Sequence, residues 1–126
     1  MIFGVGTDMV VIERMRAMHA RHGERLAQRI LAPGEHAGYE SVQDKARFLA
    51  KRFAAKEAFA KAAGTGMRSP VHLTGVGVGH NDLGRPELVF SAELQGWLAA
   101  QGVGRAHLSI SDEREHALAF VVLEAA

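Results

Sequence analysis

The longest regular pattern in the chain is helical and runs from Ser41 to Gly66. At about 100° per residue, the large apolar side chains of this stretch fall on one broad arc, which indicates a helix with one face in the core. The arc contains Phe48, Leu49, Phe53, Phe59, Ala60 and Ala63. Ser41, with Asp44 three residues later, is typical of a capping box, and Gly64 predicts the end of the helix. We therefore expect one long central helix.

Four charged residues of this helix stand out. Arg52 and Lys56 lie inside the apolar arc, where basic side chains either extend toward water at the edge of a core or are held for an anion or a partner chain. Glu57 and Lys61 lie one turn apart on the flank, beside small alanines that would let a backbone or a ligand come close. For Glu57 and Lys61 alone, an exposed ion pair is the simpler interpretation.

The segment before the helix predicts one strand and several short helices. The strand runs from Ile2 to Thr7 and ends beside Asp8. Its faces carry Phe3, Val5 and Thr7 on one side and Gly4, Gly6 and Asp8 on the other. Asp8 therefore faces open space, although a turn or helix-capping aspartate is the simpler interpretation of that residue alone. Helical pieces are expected from Glu13 to His22, from Arg25 to Leu31 and from Glu35 to Tyr39, with a turn at Pro33 and Gly34.

After Gly66 the pattern changes to strands. Val71 to His80 alternates and places three glycines on one face, which indicates close approach by a helix, a neighbouring subunit or a ligand, or an edge of a sheet. Ser91 is expected to cap a helix that ends at Gly102. The remaining strands are expected at Leu88 to Phe90, after a turn at Asn81 to Gly84, then at His107 to Ser111 and at His116 to Glu124. Together these elements predict an α+β domain spanning residues 1–126, with a mainly antiparallel sheet of about five strands packed around one long helix.

Composition narrows the classes of function. The 126 residues carry 15 Lys and Arg against 14 Asp and Glu, a net charge of +1, so no overall field indicates a nucleic-acid partner. Cysteine is absent, which excludes disulfides and thiolate metal sites. No apolar run approaches the roughly 20 residues of a membrane span, and a cytoplasmic protein is expected. Five arginines between positions 14 and 29 could dock an acidic protein, although a solvated helix face is the commoner cause of such a run.

Two carboxylates from distant segments, Asp8 and Glu57, would make an oxygen site suited to Mg²⁺. Lys61 lies one helical turn beyond Glu57, and the loop from Gly64 to Gly66 could let a backbone N–H approach a phosphate. No P-loop or dinucleotide fingerprint is present. These residues indicate a metal and phosphate site without specifying a reaction.

Three segments closely resemble the holo-acyl-carrier-protein synthase family in order, spacing and total chain length. They are Gly4-Val5-Gly6-Thr7-Asp8, then Arg52-Phe53-Ala54-Ala55-Lys56-Glu57-Ala58-Phe59 with Gly64-Thr65-Gly66, and His107-Leu108-Ser109-Ile110-Ser111. The resemblance covers essentially the whole chain and implies the 4'-phosphopantetheinyl transferase fold. It also implies transfer of the 4'-phosphopantetheine group of coenzyme A to a serine of apo-acyl-carrier protein, with release of adenosine 3',5'-bisphosphate.

The resemblance further implies roles for individual residues. Asp8 and Glu57 match Mg²⁺ ligands, and Lys61 matches a lysine that contacts phosphate. Positions that match coenzyme A-binding segments are Arg52, Lys61, Gly64, Thr65, Gly66, Arg85, Pro86 and His107. Positions that match the surface that grips the acidic carrier helix are Arg14, Met18 and Arg21.

The serine nucleophile belongs to the carrier protein, so this chain needs no activated serine. Glu57 or a metal-bound water takes the proton of that serine, and the sequence leaves both open. The resemblance implies a homotrimer with active sites in clefts between subunits, acting in fatty acid biosynthesis.

Overall fold

The computed structural model describes residues 1–126 and contains five strands and five α-helices. In chain order they are β1 (Ile2–Val11), α1 (Ile12–His22), α2 (Glu24–Ile30), α3 (His36–Ser41), α4 (Lys45–Ala63), β2 (Val76–His80), β3 (Pro86–Phe90), α5 (Ala92–Ala100), β4 (Val103–Asp112) and β5 (His116–Ala125). Short 3-10 helices lie at Pro33–Glu35 and Leu73–Gly75. The predicted α+β class is confirmed, and no helix is both long and apolar enough to cross a membrane.

The five strands form two antiparallel sheets rather than one. The larger sheet has the order β1-β5-β4, and β2 pairs only with β3. Helix α5 lies between β3 and β4 in the chain. The β2–β3 hairpin packs beside β4 without joining its hydrogen-bond ladder. The predicted strand from Val71 is also too long, because Leu73–Gly75 forms a 3-10 turn and β2 begins only at Val76.

Helix α4 is the centre of the fold, with 12 of its 19 residues buried. Its N-cap is Asp44, whose side chain accepts a hydrogen bond from the Arg47 amide, and its C-cap is Gly64 at φ 82°. The predicted capping box is therefore wrong at its first residue. Ser41 instead closes α3, where its hydroxyl donates to the Gly38 carbonyl. Gly64 confirms the predicted stop, since glycine reaches this left-handed conformation without strain.

Strand β1 lies directly on α4, backbone against backbone. A Cβ atom on Gly4 would overlap the carbonyl oxygen of Ala62, and one on Gly6 would overlap that of Ala58. The glycine face of the predicted strand is thus the face that meets the helix. Because Asp8 follows on the same face, β1 presents its carboxylate beside α4.

The core is divided into two hydrophobic clusters along α4. One joins α4 to the inner faces of β4 and β5, including Phe59 and Val121, and the other joins it to α1, α2 and α3, including Leu49 and Tyr39. Leu108 and Ile110 pack against the first cluster, as their alternation predicts. Helix α4 is therefore covered on nearly all sides.

The two cations in the apolar arc have a buried partner. Lys56 is 0% exposed, and its ammonium donates to Glu35 Oε1 at 2.5 Å, to the Ile30 carbonyl and to the Leu73 carbonyl. Arg52 Nε lies 3.3 Å from Glu35 Oε2. Lys56 thus neither extends toward water nor faces a surface that an anion or another chain could reach.

Candidate active site

Asp8 and Lys61 form the centre of the candidate site. The Lys61 ammonium donates to Asp8 Oδ1 at 3.1 Å and to the Thr7 carbonyl at 2.9 Å, which joins the end of α4 to β1. The interpretation of Lys61 as the ion-pair partner of Glu57 is wrong, because the lysine reaches across to the strand that lies against its own helix. The glycines of β1 make this contact possible by bringing strand and helix close together.

Glu57 lies on the same flank of α4, partly buried and without a hydrogen-bond partner in the chain. Burial raises the pKa of its carboxyl group, the negative charge of Asp8 raises that pKa further, and Lys61 opposes both effects. Asp8 and Glu57 line the same cleft, so the two carboxylates lie near one another.

These two carboxylates fit a hard divalent cation. No group of three or more His, Asp or Glu side chains is placed to enclose a metal ion in the chain. Mg²⁺, however, is commonly held by one or two carboxylates, with substrate phosphates and water completing its shell. A carboxylate such as Glu57, whose charged form is disfavoured by burial and by a neighbouring carboxylate, is a ligand that such an ion would stabilise.

A cleft of about 340 Å³ lies beside these carboxylates. It is lined by Asp8 and Glu57 together with Arg14 and Met18, and its remaining walls are Met9, Val10, Val11, Met15 and Phe53. The candidate metal ligands and two of the three candidate docking residues therefore share one cleft. Met9 was not singled out from the sequence and Phe53 was assigned only to the core-facing arc of the helix, since an apolar wall residue carries no signal of its own.

Arg14, Met18 and Arg21 are all exposed on α1. Their spacing of four and three residues puts them on one face of the helix. Arg14 and Met18 line the cleft, and Arg21 continues the same stripe away from it. These three side chains therefore form an exposed row on α1 that ends in the cleft containing Asp8 and Glu57.

The loop Gly64-Thr65-Gly66 follows the last turn of α4. The Gly64 amide donates to the Lys61 carbonyl and the Gly66 amide donates to the Ala60 carbonyl, so both amides serve to end the helix. Thr65 donates its hydroxyl to the Gly66 carbonyl. Arg52, by contrast, is buried near Glu35 with its guanidinium 4.2 Å from the Phe48 ring centre. The structure thus places Arg52 away from the cleft that holds Asp8 and Glu57.

Arg85, Pro86 and His107 come together in a second and larger cleft of about 650 Å³ between β3 and β4. Arg105 also lines this cleft and was missed by the sequence analysis. His107 Nε2 lies 2.5 Å from Glu124 Oε2 on the neighbouring strand β5, and this contact lowers the pKa of Glu124. The second cleft therefore carries two arginines and a histidine beside one lining carboxylate, Glu87.

The two clefts lie at opposite edges of the large sheet, since β1 and β4 flank β5. The strand register also puts Asp8 and His107 on opposite faces of the sheet. Asp8 pairs with Ala119, whose side chain is buried on the inner face of the sheet. His107 pairs with Val122, whose side chain lies on the outer face. Within one chain, Asp8 and His107 therefore do not face a common space.

Comparisons with known proteins agree with this arrangement. The chain is 57% identical over 124 residues to the holo-acyl-carrier-protein synthase of Laribacter hongkongensis, covering 98% of this chain and 99% of that protein. The crystal structure of the Neisseria meningitidis synthase superimposes with a TM-score of 0.95 at 47% identity, covering 98% of this chain and 99% of the other. A Bacillus anthracis synthase in complex with CoA (3',5'-ADP) matches with a TM-score of 0.84 at 34% identity, covering 100% and 99%.

The family model of the 4'-phosphopantetheinyl transferase superfamily matches residues 4–121. This range includes β1 from Gly4 onward with its glycines and Asp8, the whole of α4 and the second cleft. Sequence, fold and site geometry together place this chain in the 4'-phosphopantetheinyl transferase superfamily.

Proposed function

We propose that the protein transfers the 4'-phosphopantetheine group of coenzyme A to a serine of apo-acyl-carrier protein. The products are holo-acyl-carrier protein and adenosine 3',5'-bisphosphate. In this reaction the serine oxygen forms a bond to the phosphorus of the phosphopantetheine phosphate, the phosphorus–oxygen bond to the nucleotide breaks, and the serine loses its proton. Relatives that cover nearly all of the chain are named for making the holo form of this carrier.

One observation carries the proposal most strongly. The acidic pair Asp8 and Glu57 shares its cleft with Arg14 and Met18 from α1. An acidic carrier helix that binds along α1 would therefore present its serine at the carboxylates. Docking and chemistry are brought together by residues from three separate segments of the chain.

Asp8 and Glu57 would hold Mg²⁺, which supplies charge neutralisation at the phosphates when it is bound. Lys61 contacts Asp8, which lines this cleft, and is 55% exposed, so its ammonium can reach a phosphate oxygen. A compact ammonium suits a role as a point charge beside a phosphate. The chain's own contribution is therefore to position two anionic ligands and one cation around the reacting phosphate.

The second cleft would bind another part of coenzyme A. Arg85 and Arg105 give it positive charge that can hold a phosphate beside the one lining carboxylate, Glu87, and Pro86 and His107 contribute to its wall. Because His107 and Asp8 lie at opposite edges and on opposite faces of the sheet, a single coenzyme molecule would contact both across two copies of the chain. This geometry supports an active site shared between neighbouring subunits, and the family resemblance leads us to propose that the assembly is a homotrimer.

The outer face of the large sheet supports this assembly. Val5 on β1 is 51% exposed, and Leu118 and Phe120 on β5 are 39% and 45% exposed. Contiguous exposed apolar side chains of this size mark interaction surfaces. Burial of this face between subunits would remove them from water.

A mass measurement tests the activity directly. Purified apo-acyl-carrier protein is incubated with this protein, coenzyme A and Mg²⁺, beside a sample that contains a chelator, and the intact mass of the carrier is recorded. We expect a gain of one phosphopantetheine group that depends on the metal. If several carriers gain no mass, a module that binds coenzyme A or carrier protein without turnover becomes the better description.

Variants test the assignment of the carboxylates. Asp8→Asn and Glu57→Gln are expected to abolish transfer while the circular dichroism spectrum stays unchanged. Glu40→Gln, which removes an exposed carboxylate remote from both clefts, is the matched control and should retain full activity. Full activity in both Asp8→Asn and Glu57→Gln would exclude them as metal ligands. A role in fatty acid biosynthesis and a cytoplasmic location stay predictions.

A further inference from the structure

The contact between Lys61 and Asp8 involves the carboxylate that the metal would use. The carboxylate of Asp8 accepts no hydrogen bond from any other group of the chain, and the side chain is 18% exposed. Lys61 has a second acceptor in the Thr7 carbonyl, which is fixed in β1. The lysine can therefore leave Asp8 while it stays tethered to the strand.

An ammonium and a divalent cation cannot share this carboxylate without a cost. The two cations would repel each other at contact distance, and each would weaken the attraction of Asp8 for the other. Glu57 offers the metal a second carboxylate, and it lies one helical turn before Lys61 on α4. Lys61 is thus placed to oppose binding of the metal through both ligands.

Resting on the proposed function, we infer that Lys61 makes metal binding depend on coenzyme A. In the free protein, the ammonium competes with the divalent cation for Asp8. When coenzyme A binds, its phosphate offers Lys61 a stronger anionic partner, and the lysine turns from Asp8 to that phosphate. Asp8 is then available to the cation, so metal and coenzyme strengthen each other's binding.

The coupling is reciprocal because it is a property of the equilibrium. If coenzyme A increases the affinity for the metal by some factor, the metal increases the affinity for coenzyme A by the same factor. Part of this factor comes from direct contact between metal and phosphate. Lys61 contributes the remainder, and replacing it separates the two contributions.

The test measures Mn²⁺ binding by electron paramagnetic resonance, with and without coenzyme A and without carrier protein. In Lys61→Met without coenzyme, we expect Mn²⁺ to bind about three- to tenfold more tightly than in the wild type, since a partly exposed competing charge is removed. The gain in Mn²⁺ affinity on adding coenzyme A should be smaller in Lys61→Met than in the wild type. The reciprocal gain in coenzyme affinity on adding Mn²⁺ should shrink equally.

Lys51→Met is the matched control, because it removes a partly exposed lysine of the same helix that lies 3.7 Å from Asp112 instead of Asp8. Its Mn²⁺ affinity should equal that of the wild type. Unchanged or weaker Mn²⁺ binding in Lys61→Met, or an equal change in Lys51→Met, would overturn the role of Lys61 and leave the metal site standing. Failure of the wild type to bind Mn²⁺ even with coenzyme A would overturn the metal site and this inference together.

Discussion

Replacing Lys56 by methionine tests the buried ion pair at the centre of the fold. Methionine keeps the length and much of the volume of the side chain but removes the ammonium. Glu35 Oε1 loses a partner at 2.5 Å, and the carbonyls of Ile30 and Leu73 each lose a donor. Lys56 is fully buried and the Glu35 side chain is 2% exposed, so water cannot replace these contacts without rearrangement.

The size of the effect follows from what is left behind. Removing one partner of a buried ion pair costs about 3–5 kcal/mol, mainly because the other charge stays buried. Glu35 keeps hydrogen bonds from the Ala32 and Val78 amides, and the Arg52 guanidinium stays 3.3 Å away as an ion-pair partner. These contacts stabilise its remaining charge. Burial lowers the pKa of Lys56, so desolvation of the ammonium is itself costly and its removal returns part of the loss. We therefore expect a loss of about 3 kcal/mol, near the lower end of that range.

The assay is urea unfolding followed by circular dichroism at one fixed protein concentration, since assembly makes stability depend on concentration. Lys51→Met on the same helix is the control, and it should lose less than about 0.5 kcal/mol. Glu35→Gln should cost less in the Lys56→Met background than alone, because it then removes an uncompensated charge. A loss below about 1 kcal/mol in Lys56→Met, or additive effects of the two substitutions, would refute this account of the pair.

Three further substitutions probe other parts of the molecule. Gly6→Ala should destabilise the fold by about 2 kcal/mol or more because its Cβ would overlap the Ala58 carbonyl, whereas Gly34→Ala, with nothing within 4 Å of its Cβ, should be nearly neutral in thermal unfolding. Arg14→Glu should lower kcat/KM for the carrier by about tenfold or more and leave the KM for coenzyme A unchanged in steady-state assays. Asp44→Ala should cost about 1 kcal/mol. Arg16 and then the Arg47 amide hold the pKa of Asp44 below its usual value, so its stabilising contribution is present above about pH 4 and is lost as the pH falls through that lowered pKa, which acid titration of unfolding would detect.

Signals that act over a few residues were read correctly from the sequence. Gly64 ends α4, the Ser91 side chain accepts from the Leu94 amide to cap α5, and the Asn81 side chain holds the following turn through two backbone amides. Each depends on the conformational preference or reach of one side chain. Ser41 shows the limit of such signals, because two capping residues stood within one turn and the structure uses Asp44.

Contacts between distant segments were predicted only for Asp8, Glu57 and Lys61, first as a possible metal and phosphate site and then through the roles that the family resemblance implies. Asp8, Glu57 and Lys61 do converge, but nothing in the spacing of Glu35 and Lys56 indicates an ion pair across 21 residues. The separation of Asp8 from His107 could not be foreseen either. It depends on the strand order β1-β5-β4 and on register, which alternation within a single strand does not specify.

The direct contact of β1 with α4 has a consequence for how this protein can change through evolution. No side chain separates the two backbones at Gly4 and Gly6, so substitutions in the rest of the core have no spacer through which to move the strand relative to the helix. The distance between Asp8 and Glu57 is thereby protected against sequence drift elsewhere. Insertion or deletion of a residue in β1 before Asp8 is the change to which that distance is sensitive, because it would turn the carboxylate to the opposite face of the sheet.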